Sequence, residues 1–335
     1  MKTLGVGVVG VGSIGAVHAE NLALNIPRAN LVAISDVDPD AASKVANRFG
    51  IGAVYSDYNE MLENKNVEAI VFAVPPFLKR EMIIKASKLG KHVFVEKPIA
   101  LSLDDAQDIL EATEDAAVKL QVGYQRRYDP AFCRIERSIA NGGIGRLLLV
   151  KSWTHDPPGN PHGWSANPAQ SGGIFLDTCS HDFDEVRNLT KASVVSVFAR
   201  GTNLVYDQLK LHGDYDNVVI TLELDNGALA VVDACGYTAH GYDAGIEVFG
   251  TEAVASVKMG WNSSAEVLGK SSTVQDLPQT YQERFAQAYR YELEDFVECV
   301  LSDRETRVTG KDGIEAMRIG LAARESAQTE QVVTL

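Results

Sequence analysis

The run LGVGVVGVGSIG, Leu4 to Gly15, limits the possible folds more than any other stretch. Residues 4–10 have the small and β-branched pattern of a buried strand. Gly10, Gly12 and Gly15 then make a G-x-G-x-x-G turn, and helical spacing takes over from Ser13 to about Asn25. Glycine-rich turns occur by chance, so the motif alone is weak evidence. Set between a strand and a helix, and ahead of an acid that ends a second strand, it predicts a dinucleotide-binding turn. Gly10 permits the tight bend, Gly12 lets backbone approach a pyrophosphate, and Gly15 lets strand and helix pack closely. The helix start at Ser13 and Ile14 supplies amide donors and the positive end of a dipole.

LVAISD (31–36) reads as that second strand. Asp36 is placed to accept hydrogen bonds from adenosine ribose hydroxyls, and its charge opposes a 2′-phosphate. Val37 and Asp38 follow with no Arg or Lys nearby, so NAD is expected over NADP. Asp38 and Pro39 open the next helix, and Gly50 closes it. EAIVFAV (68–74), HVFVE (92–96) and KLQVGY (119–124) read as further strands, separated by helices Leu78–Leu89 and Leu103–Asp115. Ser102 with Asp105 resembles a capping box for the latter. Ligands of open α/β sheets lie beyond the carboxyl ends of the strands. That rule adds Val74, Pro75, Glu96 and Lys97 to the expected cofactor contacts. Strands alternating with helices imply a parallel sheet with right-handed crossovers, here a Rossmann dinucleotide-binding domain over 1–123.

The rhythm then changes. After a helix over Pro130–Asn141 come RLLLVKSW, VVSVFARG, NVVITLEL, ALAVVDAC and AGIEVFG, with Asp225-Asn226-Gly227 as a hairpin signal between two of them. They predict an α+β domain over 124–335 with a large, mostly antiparallel, open-faced sheet. Helices are expected at Phe175–Leu189, near 281–302 and at 311–328. A loop from Asp156 to Gly173 is long enough to be functional. One face of such a sheet would be bare in a monomer, so a homo-oligomer, dimer or tetramer, is expected.

Charge excludes several partners. The 335 residues carry a formal net charge of −14, which repels phosphate backbones and anionic membranes. The densest basic runs, Lys79-Arg80 and Arg126-Arg127, are only pairs. No nucleic acid or membrane partner is expected. Cys133, Cys179, Cys235 and Cys299 are widely spaced and form no CxxC pair. They read as free thiols of a reducing cytoplasm. Lys2, the apolar run Leu4–Val17 and AVHA mimic a secretory signal, but five glycines in that run suit a strand and a turn better. No apolar run approaches transmembrane length.

LDTCSHDFDE (176–185) crowds acids, a cysteine and a histidine together, and admits a metal site, an acid–base site or a wet helix face. On a helix, Asp177 and His181 share one face at a spacing of four. Cys179, two residues along, points elsewhere, so an Asp/Cys/His metal triad has poor geometry and no metal is expected. Asp182 and Asp184 fall largely off that face and read as its solvated flank.

GVGSIG, Asp36, GKHVFVEKPIA (90–100), GGIFLDTCSHDFDE and YRYELEDFVECV together resemble the Gfo/Idh/MocA oxidoreductase family over nearly the whole chain. QRRYDP (125–130) and SGGIFLD…HDFD most resemble its inositol 2-dehydrogenases. The resemblance implies a catalytic trio of Lys97, Asp177 and His181. Hydride transfer to NAD needs no metal when a base takes the hydroxyl proton and a cation stabilises the developing alkoxide. His181 suits the base, since imidazole titrates near neutrality. Asp177 orients it, stabilises its protonated form, or binds a second hydroxyl. Lys97 donates to the reacting oxygen.

Arg127, with Tyr128 and Asp129, either reaches substrate hydroxyls or belongs to an Arg–Asp pair that pins the chain crossover. His155, Asp156 and Tyr242 are further candidates for substrate contact. Inositol dehydrogenases often carry Arg where this chain has His155. Lys79 replaces a histidine frequent in the family and is expected near the cofactor, away from the trio. Trp164 is a lid or a packing anchor. The resemblance implies an NAD-dependent dehydrogenase for a ring hydroxyl of a cyclitol or polyol, myo-inositol first. A pyranose sugar dehydrogenase, or a nucleotide-sensing regulator without chemistry, are the alternatives.

Overall fold

The computed structural model describes all residues except Met1, Asn160, Met259 and 261–265. The chain divides into two compact units, residues 1–128 with 287–314, and residues 129–286 with 315–335.

In the first unit, β1 (Leu4–Val9) is buried throughout and runs into α1 (Ser13–Glu20), which ends in a π turn over Asn21–Asn25. β2 (Ala29–Ser35), α2 (Pro39–Phe49), β3 (Ala53–Tyr55), α3 (Tyr58–Leu62), β4 (Ala69–Phe72), α4 (Pro76–Lys88), β5 (His92–Glu96), α5 (Leu103–Asp115) and β6 (Leu120–Gly123) follow. The sheet order is β3-β2-β1-β4-β5-β6, all parallel, with its order reversing beside β1. Local signals set the helix ends. The Asp38 carboxylate accepts from the Asp40 and Ala41 amides, Pro39 opens α2, and Gly50 ends it at φ 69°.

This core is finished by a segment from far along the chain. Leu293, Phe296 and Val297 join Val6, Val8 and Phe94 in one buried cluster, and the Phe94 and Phe296 rings meet edge-on at 5.8 Å. The contact pattern thus differs from the expected continuous units 1–123 and 124–335. The expectation placed all helices after 281 in the second unit because sequence order alone shows no return to a sheet already passed.

The second unit opens with α6 (Pro130–Ala140), capped by Asp129. Its sheet contains β7 (Leu147–His155), β8 (Val194–Thr202), β9 (Asn217–Leu224), β10 (Leu229–Cys235), β11 (Asp243–Gly250), β12 (Val254–Val257) and, after a separate β13–β14 hairpin (Glu266–Leu268, Thr273–Gln275), the terminal β15 (Val333–Thr334). The order is β12-β11-β7-β10-β9-β8-β15, antiparallel except where β7 meets β10. The expected hairpin turns at Gly227, φ 83°.

The expected single helix over Phe175–Leu189 is instead a π turn, Ile174–Thr178, followed by α7 (Ser180–Thr190). Gly172 and Gly173 precede it at φ 92° and 63°, and a side chain on Gly173 would lie 2.7 Å from an Asp214 carboxylate oxygen. The Asp214 carboxylate accepts from the Ile174 amide instead. Two long helices, α8 (Ala286–Ser302) and α9 (Gly310–Thr329), follow near the end of the chain. Gly320 on α9 lets the backbone of Phe175 pack tightly, since a Cβ there would sit 2.9 Å from its carbonyl oxygen.

Candidate active site

In the first unit the glycine loop takes its shape from close approach. Gly10 sits at φ 84° with Ala73 against it, and a Cβ on Gly15 would lie 1.9 Å from the Gly10 carbonyl oxygen. A Cβ on Gly12 would meet nothing within 4 Å, so the loop is open above the start of α1, which no side chain caps. Asp36 closes the loop from β2, its carboxylate accepting from the Val11 amide at 2.7 Å and the Asp38 amide at 2.9 Å. Open amides at a helix start beside a ribose-height carboxylate fit a dinucleotide. Ser13 and Val37 are exposed at this rim, Ile14 is partly so, and Val74-Pro75 leads from β4 into α4.

Lys97 leaves the end of β5, half-buried, through a cis peptide to Pro98. The Glu96 carboxylate, expected at the cofactor, turns into the core and meets His18 Nε2 on α1 at 2.6 Å. Glu292 on α8 is wholly buried in the same group, and burial with the nearby Glu96 charge pushes its carboxyl well above the ordinary range. Among the described residues this is the one cluster whose His and carboxylate atoms gather as metal ligands do. Its 2.6 Å contact is a hydrogen bond, however, shorter than the ~3.3 Å that separates two ligands on one zinc with ~2 Å bonds.

Arg127 makes an Arg–Asp pair, though with Asp312 rather than Asp129. Its Nη2 donates to Asp312 Oδ1 at 2.9 Å. Burial works against the Asp312 charge, but Arg127 and the Thr309 donors outweigh it and hold the carboxyl below its usual range. Tyr128 donates to Asp295. Asp129 belongs to the second unit, where it accepts from Arg284 at 3.0 Å.

In the second unit Asp177 is exposed on the π turn and His181 is 7 % exposed in the first turn of α7. The neighbouring acids are not a solvated flank. Asp182, Asp184 and Glu185 are all buried. Asp182 accepts from Ser152 Oγ at 2.5 Å and Thr154 Oγ1 at 2.6 Å, so α7 presents this acid to hydroxyls of β7. Asp214 below the π turn has its carboxyl pushed up, chiefly by burial and further by the Asp177 charge.

The strand alternation puts Val150, Ser152 and Thr154 of β7 inward toward α7, and Lys151, Trp153 and His155 on the opposite face. The structure therefore does not bring His155 to the helix that carries His181. His155 Nε2 meets Asp233 at 2.5 Å, and Asp243 lies 3.8 Å from its other nitrogen. Burial disfavours the imidazolium, but the hydrogen bond to Asp233 and the charges of both carboxylates overcome that and raise its pKa to about 10. Asp156 continues the strand edge, its carbonyl accepting from Thr238. Tyr242 is buried with its ring edge-on to Tyr281 and Phe285. Trp164 is 45 % exposed.

Comparison with known proteins fits both halves. Residues 4–124 match the Gfo/Idh/MocA description "Oxidoreductase family, NAD-binding Rossmann fold", and residues 136–335 match its "C-terminal alpha/beta domain". The chain belongs to the Gfo/Idh/MocA oxidoreductase family. It is 34 % identical to the scyllo-inositol 2-dehydrogenase (NAD(+)) of Bacillus subtilis, over 98 % of this chain and 95 % of that protein. It is 35 % identical to the myo-inositol 2-dehydrogenase of Thermotoga maritima, over 98 % of each. Among solved structures, scyllo-inositol dehydrogenase from Lactobacillus casei with bound NAD(H) and scyllo-inositol superposes with a TM-score of 0.92 at 29 % identity, over 99 % of each chain. The protein is an NAD-dependent oxidoreductase. Among the described residues no helix is long and apolar enough to cross a membrane.

His18, Asp182, Asp214 and Glu292 shape these surroundings and were not anticipated as doing so. Lys79 was expected near the cofactor and away from the trio, but its Nζ lies 3.3 Å from the Lys97 carbonyl oxygen. Arg80 pairs on the surface with Asp105 and Asp108 of α5, while Lys79 is 1 % exposed.

Proposed function

We propose that the protein oxidises a ring secondary hydroxyl of a cyclitol, myo-inositol or a stereoisomer, to a ketone. The reading is carried by near-full-length likeness to two inositol dehydrogenases in a chain that has Lys97, Asp177 and His181. Bound NAD supplies the hydride acceptor. In this scheme His181 removes the hydroxyl proton, and Asp177 supports the imidazolium that results. Lys97 donates a hydrogen bond to the oxygen as it acquires negative charge. Gly12 and the start of α1 hold the pyrophosphate, and Asp36 takes the ribose hydroxyls.

The outer face of the second sheet supports a further part of the reading. Phe198, Val219 and Leu229 are exposed there beside Trp153 and His155, and a second copy of the chain covering them gives a homo-oligomer. A monomeric mass by light scattering would refute it. A cytoplasmic location accords with four free cysteines.

Absorbance of NADH tests the activity, using purified protein, NAD or NADP, and a panel of myo-inositol, scyllo-inositol, glucose, galactose and xylose. The expected result is turnover of a cyclitol with NAD, abolished in Lys97→Ala. Turnover of pyranoses alone replaces the substrate class, and tight NAD binding without any turnover replaces chemistry with sensing.

A further inference from the structure

An ammonium group is costly to bury unless each of its three protons finds an acceptor. Lys79, in the first turns of α4, is 1 % exposed, and its Nζ donates to the carbonyl oxygens of Glu96 at 2.5 Å and Pro98 at 2.7 Å. The Lys97 carbonyl lies 3.3 Å from the same nitrogen. These are three consecutive carbonyls. The β5 ladder ends at Glu96, opposite Gly123 of β6 and one residue past Val95 opposite Phe72 of β4. Beyond that point the sheet no longer fixes the backbone, and Lys79 supplies the donors that a neighbouring strand would have supplied. The same corner is held from its other side, where the Glu96 carboxylate meets His18.

We propose that Lys79 is a positioning residue for Lys97. Its ammonium locks the backbone of residues 96–98, and so fixes the base from which the Lys97 side chain reaches the reacting oxygen. The proposal deepens the reading of Lys97 given above and rests on it. Lys79 touches neither cofactor nor substrate in this scheme. Its contribution is geometric, and misplacing a catalytic group by ~1 Å costs on the order of a hundredfold in rate.

The test uses full-length Lys79→Met, which keeps the length and removes every donor, and Lys79→Gln, which keeps two. Lys97→Ala is the control, and myo-inositol with NAD is the assay pair. The expected order of kcat is parent, then Lys79→Gln about tenfold lower, then Lys79→Met about a hundredfold lower. The dissociation constant for NAD should stay within about threefold, because the glycine loop is untouched. A substrate-free readout accompanies it, competitive acetylation of Lys97 against exposed Lys270, read by mass spectrometry. Freed from its clamp, Lys97 should label at least about threefold faster in Lys79→Met, even where that variant is less stable. Unchanged labelling, or a Lys79→Met kcat within threefold of the parent while Lys97→Ala is dead, overturns the positioning role. Full activity in Lys97→Ala instead removes the reading of Lys97, and the inference falls with it.

Discussion

Gly12 and Gly15 stand three residues apart in one motif, yet alanine at each should fail in a different way. At Gly15 a Cβ would sit 1.9 Å from the Gly10 carbonyl oxygen and 3.2 Å from the Ala73 Cβ, where ordinary contact begins near 3.4 Å. Strand and helix must separate by about 1.5 Å, an overpacking that typically costs roughly 1–3 kcal/mol and occasionally more. For a chain of 335 residues that lowers Tm by about 1.5–4 °C. At Gly12 the added Cβ meets nothing within 4 Å, and φ −64°, ψ −156° suits an ordinary residue. Gly12→Ala should therefore leave the fold untouched, or raise its stability by about 0.4–1 kcal/mol through the unfolded chain. The methyl group instead fills the space through which a pyrophosphate approaches the amides of α1. Losing one or two charge-assisted hydrogen bonds, at about 1.5–3 kcal/mol each, weakens NAD binding by roughly ten- to twenty-thousandfold. Thermal melts without ligand and NAD titration by fluorescence separate the two outcomes. A Gly12→Ala protein that melts lower than Gly15→Ala, or that binds NAD like the parent, would show this division to be wrong.

Removing Asp182 takes the close acceptor away from two buried hydroxyls, on Ser152 and Thr154. At about 1–3 kcal/mol each, Asp182→Ala should cost roughly 2–6 kcal/mol in urea unfolding, with Asp182→Asn intermediate. A loss below about 1 kcal/mol would mean that α7 is not anchored this way. Glu292 has its carboxyl raised above 4.5, by burial first and the Glu96 charge second. A raised folded-state pKa favours the fold fully below the unfolded value, and that contribution drains away as pH rises toward the folded one. Glu292→Gln cannot lose this proton, so its Tm relative to the parent should climb as pH rises above about 4.5 and level off once the folded-state carboxyl ionises. A difference that does not vary with pH refutes a protonated Glu292.

What could be read beforehand was whatever local chemistry decides. The strand–glycine–helix unit, the Asp38-Pro39 start of α2 and the turn at Gly227 each depend on neighbours a few residues away. β3 escaped notice because three residues are too few to show a period. The π turn at Ile174–Thr178 looked like part of one helix, because one added residue per turn barely disturbs a spacing of four. Asp182 was judged wet because acids usually are, and the hydroxyls that claim it lie on β7, outside the helix being read. Arg127 was rightly suspected of pairing with an aspartate, but the partner, Asp312, lies near the other end of the chain. His18 and Glu292 meet for the same reason. In the candidate site, motifs supplied the side chains proposed for the chemistry, while the residues packed around them are brought in from far along the chain.

The return of α8 to the first sheet bears on how the protein is made. A ribosome that has released residues 1–128 has delivered every strand of the dinucleotide sheet, but not Leu293, Phe296 or Val297, which cover Val8 and Phe94. At ~5–20 residues per second, that apolar surface waits roughly 10–30 s for its cover. The second unit waits as well, because residues 315–335 complete it. Neither unit is finished until nearly all of the chain has been made. A nascent chain halted between the two segments presents a sticky, half-covered sheet, which is the kind of surface that chaperones hold.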